Sequence, residues 1–368
     1  MRKPILIILV LIVLISAYIS QTNVLKEKSI FPSEKSFYKK SDFGTDVIRI
    51  TSDPANDNIY YQEPNYFSPD SSKFLFKSER GDGKMGMYLL DLGSGSMTLL
   101  KSFTSHIPTW SKDGKEVYAG ERGKIVAITI ETLEERVIEV PGQDLLSFLH
   151  LNPSGDRLVF IEEGLETHKT LSIINTDGSE YEQLYILDLR TEFFLDHPLW
   201  VDDNTILFLT RGEGRNYTGE FGKPFLLTLS GNLTKLPVKC SHYDVHPKGD
   251  KILCGTEGHI IDLEGNVLRE LPVRGHGVWA MDGDTFLMTG DPVPVKEDSP
   301  YYGKITIMKF SSEDEIYNLV SHENTYDSSL EVHIQPNAQF SRDGKYIIYE
   351  SDRGEMQNSD LYLVELPK

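Results

Sequence analysis

Cysteine, positive charge and helical periodicity are all scarce in this sequence, and each shortage removes a class of protein. Two cysteines, Cys240 and Cys254, in 368 residues exclude a disulfide-dense scaffold and a zinc site of four thiolates. Lys and Arg number 37 against 56 Asp and Glu, so the formal charge is -19. The basic footprint of a general nucleic-acid binder is missing, and no nucleic-acid partner is expected. No G-x-S-x-G elbow occurs, which disfavours a serine hydrolase.

What is present is the balance of a folded β protein: 39% hydrophobic and 25% charged residues, 29 Gly and 18 Pro. Arg2 and Lys3 precede an apolar run from Pro4, continued by SAYIS to Ser20. A basic start followed by an apolar stretch reads as a targeting segment. About 16 residues of it, as helix, span roughly 24 Å, short of the roughly 30 Å hydrocarbon core. Residues 1–20 are therefore a signal peptide or an N-terminal membrane anchor, with 4–20 as the tether to the membrane. Both readings export the remainder, to the periplasm or cell surface, or hold it at the inner membrane. Residues 21–42, rich in Lys, Glu and Ser, read as a tether.

From residue 43 to 368 one unit recurs: an apolar strand, a polar turn, then a second apolar strand. It appears as YFSPDSSKFLFKSERG, TWSKDGKEVYAGERG, HLNPSGDRLVFIEEG, LWVDDNTILFLTRGEG, DVHPKGDKILCGTEG, VWAMDGDTFLMTGD and QFSRDGKYIIYESDRG. The turns recur about every 45 residues, the period of a four-stranded blade. Segments such as MYLLDLGSGSMTLL and IVAITIETLEERVIEV supply outer hairpins. The expected fold is all-β, a seven-bladed propeller. DVIRITSD, ahead of the first unit, is expected to close the ring as an outer strand of the last blade, since an open edge invites pairing with other chains. A monomer is expected.

The strand before each first turn is innermost, so residues at a fixed distance before the turns face the central channel. Counting back six to eight residues gives Asn65, His106, His197, His242, His276 and Asn337, with His150 five residues back in the third blade. His246 falls outside this pattern and reads as a turn-packing residue. Imidazole serves both as a neutral-pH base and as a metal ligand. In EVHIQPNAQF, His333, Gln335 and Asn337 alternate, which on a strand puts them on one face. Imidazole nitrogen with amide oxygen, and no thiolate, suits Mn2+, another octahedral divalent ion, or Ca2+ where oxygen dominates.

From residue 43 to 366 the chain resembles the oligogalacturonate lyases, seven-bladed propeller enzymes of pectin breakdown. The resemblance is carried by YYQEPNYFSPDSSKFLFKSERG, GKIVAITIETLEERVI, LDHPLW, CSHYDVHPKGDKILCGT and HIQPNAQFSRDGKYIIYESDRG. It implies a lyase acting on an acidic oligosaccharide, with His197 as base and a divalent metal on the substrate carboxylate. His242 matches the first metal ligand by blade order, and His276 is the competing match. The family's last blade carries Q-x-x-H-x-H, where this chain has Val332, Gln335 and Asn337 with His333 between, so the metal strand is divergent. His333, Gln335 and Asn337 join His242 as the expected ligands. Manganese is the expected ion and calcium the alternative. Arg211 and Arg215, in LTRGEGRN, are expected to pair with uronate carboxylates, and His150, His106 and Asn65 to line the substrate channel.

A second class competes with the enzyme: a non-catalytic envelope propeller of the TolB type, used as a binding or scaffold module. Cys240 and Cys254 could pair in an oxidising compartment. The hairpin turning at Lys248 and Gly249, however, sets Cys254 opposite Tyr243, a register that argues against the disulfide.

Overall fold

The computed structural model describes residues 29–52, 54–61, 63–81, 83–102, 107–142, 144–164, 168–189, 194–211, 222–290, 299–327, 332–333, 335–353 and 358–367. Its seven main sheets are antiparallel, and each is one blade. Blades 2 to 6 are continuous in sequence, their innermost strands being Thr109–Trp110, Leu145–Leu151, Phe194–Asp202, Tyr243–Val245 and Gly277–Trp279.

The second strand of each blade is covered on both faces by its neighbours, which is why these strands read as unbroken apolar runs rather than alternating ones. Phe76, Phe160, Phe208 and Phe286 occupy such strands and are wholly buried. Removing each ring from water contributes roughly 2–3 kcal/mol to folding. Outermost strands return to a polar pattern, as in Glu135–Glu139, where Ile138 is buried and the rest exposed.

Closure is between the two ends of the chain. Blade 7 combines Gln339–Phe340, Tyr346–Ser351 and Asp360–Glu365 with Asp46–Arg49, whose Val47, Ile48 and Arg49 pair with Val364, Leu363 and Tyr362. The expected closing strand is therefore in place, and the N-terminal part of the described chain completes the last blade.

Part of the segment read as a tether is β-structure. Ser36–Lys40 adds a fifth strand to blade 7, and Ile30–Phe31 pairs with Met97–Ser102 of blade 1. Glu34 lies between them. Its carboxylate accepts the Ser52 N–H at 2.6 Å and pairs at 2.8 Å with Arg80, itself buried against Asp57 at 2.6 Å. The leader at 1–20 and the tether up to residue 28 lie outside the described residues.

One expectation is corrected here. Cys240 and Cys254 are joined in a disulfide, with their Cα atoms 4.8 Å apart. The register was read rightly, since Tyr243 does pair with Cys254. His242, however, takes a positive φ of 50°, and the chain before the strand bends back toward Cys254 instead of running on past it.

Candidate functional site

A repeated backbone device builds the site. Seven residues before each turn glycine or its equivalent stand Phe148, His197, His242 and Asn337, and all four have positive φ, at 54°, 49°, 50° and 42°. In blades 3 and 4 this coincides with β-bulges in the innermost strand, between Ser147 and His150 and between Asp196 and Leu199. A bulge with one left-handed residue re-aims a side chain that regular pleating would send elsewhere. The fixed offset also places His276 in the set, seven residues before Gly283. In blade 3 the equivalent residue is Phe148, and His150 sits two positions nearer the turn.

His197, His242 and His276 converge on the ring of Tyr61, with ring centroids 4.3, 6.1 and 5.7 Å from it. His242 and His276 stack at 4.1 Å. Phe148 also packs on His197, at 4.7 Å between ring centroids. Tyr243 of blade 5 donates its hydroxyl hydrogen to the His197 carbonyl, pinning the bulge across the blade boundary. Thr289 Oγ1 both accepts the His276 N–H at 3.0 Å and donates to the His276 carbonyl at 3.1 Å.

The two rings that the sequence singles out most strongly are each held by Nδ1. His197 Nδ1 lies 2.8 Å from Asp196 Oδ1, and its Nε2 is buried with no hydrogen-bond partner. His242 Nδ1 is hydrogen-bonded to Thr256 Oγ1 at 2.9 Å. Sequence reasoning missed Asp196, because successive residues on a regular strand point to opposite faces. The bulge at His197 cancels that alternation. LDHPLW carried the signal, as a carboxylate next to a histidine.

Beside this cluster, Tyr61, Gln335 and Asn337 share a cavity of about 300 Å³ with Lys77 and Glu350. Asn337 Nδ2 donates to Glu350 Oε1 at 3.1 Å, whereas its Oδ1 is buried with no partner. Glu350 also accepts the Ile59 N–H. Burial pushes its carboxyl up to about 7, opposed in part by the nearby Lys77 charge.

The alternation expected for His333, Gln335 and Asn337 is corrected. His333 belongs to a separate hairpin, where it pairs with Tyr326, while 335–338 are irregular and the innermost strand of blade 7 is only Gln339–Phe340. The side chain of His333 lies outside the described residues, as do His106, Arg215 and the side chain of Arg211. The backbone of Arg211 ends the second strand of blade 4, opposite Phe194.

Asn65 and His150 lie toward the turn end of the channel, on the wall of a different cavity. Asn65 clips blade 1 to blade 7, donating from Nδ2 to the Phe340 carbonyl at 2.9 Å. His246 packs a turn as expected, with Nε2 hydrogen-bonded to the Gly283 carbonyl at 2.7 Å. Among the described residues no three His, Cys, Asp or Glu side chains cluster as a metal cage.

No family model matches the chain. Oligogalacturonate lyase of Dickeya dadantii (strain 3937) is 27% identical over 387 aligned positions, covering 90% of this chain and 95% of that protein. The chain is a relative of the oligogalacturonate lyases. A solved oligogalacturonate lyase in complex with manganese superposes with a TM-score of 0.73 at 20% identity, covering 93% of this chain and 98% of that one. The oligogalacturonate lyase of Vibrio parahaemolyticus gives 0.73 at 18% identity, covering 93% and 99%. These two likenesses establish the propeller fold along nearly the whole of both chains.

Proposed function

We propose that this protein is an exported lyase that cleaves oligogalacturonate, or a closely related uronate oligosaccharide, by β-elimination with His197 as the base. One observation carries the reading: the Asp196–His197 pair, with Nδ1 engaged at 2.8 Å and Nε2 buried without a partner. Asp196 accepting from Nδ1–H fixes the tautomer in which Nε2 is unprotonated, the form a general base needs. Nε2 takes the C5 proton of the uronate. The electron pair of that C–H bond forms the C4–C5 double bond, and the C4–oxygen bond breaks, the departing oxygen taking its proton from solvent. Tyr61 and Phe148, packed on the imidazole, hold the ring in place and keep water from it.

The donor set fits a divalent ion of the oxygen-richer kind: an imidazole already oriented through Thr256, and an amide oxygen of Asn337 that is buried and unsatisfied. His242, Gln335 and Asn337, with His333 and with His276 as the competing ligand, would hold it. Bound there, Mn2+, or Ca2+ as the alternative, would supply positive charge to the uronate carboxylate beside the carbon that loses its proton. The solved relative in complex with manganese supports that choice of ion. Arg211 and Arg215 are assigned to the further carboxylates of the oligomer, and Lys77 adds a cation to the cavity of Gln335 and Asn337.

The Cys240–Cys254 disulfide supports export, because such bonds persist in oxidising compartments. The test is incubation of purified protein and Mn2+ with oligogalacturonate, following the absorbance of the unsaturated product. Appearance of that product supports the lyase. Its absence with every uronate oligomer tried returns the protein to the binding-module class.

A further inference from the structure

The innermost strands all run toward the first turn of their blades, so the imidazole cluster lies at their beginnings and a second cavity, of about 420 Å³, lies at their ends. Its charge sets it apart. Arg342, in the first turn of blade 7, lines it with Nε donating to the Phe67 carbonyl at 3.1 Å and Nη2 to the Asn65 carbonyl at 3.5 Å. Among the described residues no carboxylate pairs with this guanidinium, although Glu63 and Asp244 stand on the same walls. Burial alone holds its pKa below the usual range. In a chain of formal charge -19, a half-buried arginine on a cavity wall with no carboxylate partner is a ready place for an anionic ligand.

His150 supplies the next piece. Its Nδ1 accepts the Trp200 N–H at 3.1 Å, so the neutral ring carries its proton on Nε2. Desolvation first, and then the Arg342 charge, lower its pKa to about 4, so it stays neutral at ordinary pH. The neighbouring amides are already committed. Asn65 bonds Phe340 and Phe67, and Asn152 bonds Ser154, Asp156 and Asp203. What remains toward the cavity is a guanidinium edge and an imidazole N–H with no protein acceptor, the donor pattern of a carboxylate site.

Asp244 of blade 5 completes it. Its Oδ2 accepts the Trp279 N–H at 2.8 Å, which fixes the carboxyl on the cavity wall, where it can accept a hydrogen bond from a hydroxyl. We propose that this cavity is a second ligand site, which takes one small hydroxylated monocarboxylate, its carboxylate on Arg342 and His150 and a hydroxyl on Asp244. The choice of a monomeric uronic acid as that ligand rests on the lyase reading, since it is the class of monomer the reaction would release. The carboxylate recognition itself stands on Arg342 and His150.

Trp110, Trp200 and Trp279, the three tryptophans of the chain, all line this cavity, so occupancy is readable in their fluorescence. The experiment titrates the full chain with galacturonate by fluorescence and calorimetry, with galactose and inorganic phosphate as comparators, with and without a chelator, and repeats it with Arg342→Gln. Saturable binding of one galacturonate is expected, at least tenfold weaker for galactose and for Arg342→Gln, and unchanged by the chelator or by His197→Ala. The galactose comparison needs no variant and stands even where Arg342→Gln fails to fold. Binding that phosphate matches, that Arg342→Gln leaves intact, or that the chelator abolishes would overturn the proposal. A protein that binds galacturonate in this way but cleaves no oligomer keeps the site and loses the lyase reading; one that cleaves but does not bind loses the site alone.

Discussion

Asp196 and His197 are adjacent in sequence and yet meet side chain to side chain, Oδ1 to Nδ1 at 2.8 Å, because His197 adopts a φ of 49° inside a β-bulge. In the proposed reaction Asp196 acts through His197 as a positioning residue. Asp196→Asn keeps the shape but can present its amide N–H to Nδ1, which favours the tautomer with the proton on Nε2. The expected result is a fall in kcat of about 10²–10⁴-fold with KM little changed, and an altered pH profile. An unchanged kcat would remove the pair from the mechanism.

Metal binding is predicted to follow the imidazole and amide donors rather than the acidic surface. His242→Ala, His333→Ala and Asn337→Ala should each lower the manganese retained after dialysis, measured by elemental analysis and by the electron paramagnetic resonance of free Mn2+. Equal retention in parent and variants would contradict the assigned ligand set.

The disulfide brackets the same ligand. Cys240 precedes His242 by two residues, Cys254 precedes Thr256 by two, and Gly255 N–H donates to the His242 carbonyl at 2.9 Å. The double change Cys240→Ser with Cys254→Ser is expected to destabilise the chain by about 2–4 kcal/mol, read as a lower denaturation midpoint, because the unfolded chain gains freedom. It should also weaken Mn2+ binding, since both arms that hold His242 are released. A variant as stable and as manganese-binding as the parent would show the bond to be incidental.

Much of the fold was legible because a propeller repeats its signals. The turns around Asp70, Asp113 and Asp343 each show the same Asp carboxylate accepting from a backbone N–H two residues on, and the apolar runs between them have no other way to be buried. The ring of channel residues was legible only roughly. A window of six to eight residues searched for imidazoles and amides admitted Asn65 and passed over Phe148, which stands at the right offset but is apolar; the left-handed backbone that marks most of these positions is not revealed by composition. Asp196, Tyr61 and Thr256 went unseen because their roles come from the bulge at His197, from contacts between blades and from the bend at His242. The disulfide was misjudged because strand register was extended beyond the strand's first residue, past the bend at His242.

Stability should depend on pH through Asp244. Its folded pKa, about 7, is raised above the unfolded value by desolvation, so the native state holds this proton more tightly than the unfolded chain does. The resulting stabilisation is complete below the ordinary carboxylate range and is lost as pH rises toward 7, with a slope of at most about 1.4 kcal/mol per pH unit. Asp244→Asn, which can still accept the Trp279 N–H, should flatten the fall in melting temperature between about pH 4 and 7. Glu350, raised to about 7 in the same direction, preserves part of the slope. An unaltered slope in Asp244→Asn would show that this carboxyl does not bear the linkage.

The central claim is that His197 removes the proton, and one comparison tests it directly: the rate of unsaturated-product formation from oligogalacturonate by His197→Ala and by the parent, at equal manganese content and with the fold verified by circular dichroism. The account predicts a rate at least about 10³-fold lower in the variant, with metal binding and melting temperature close to those of the parent. A His197→Ala protein that forms the product at the parental rate would contradict it.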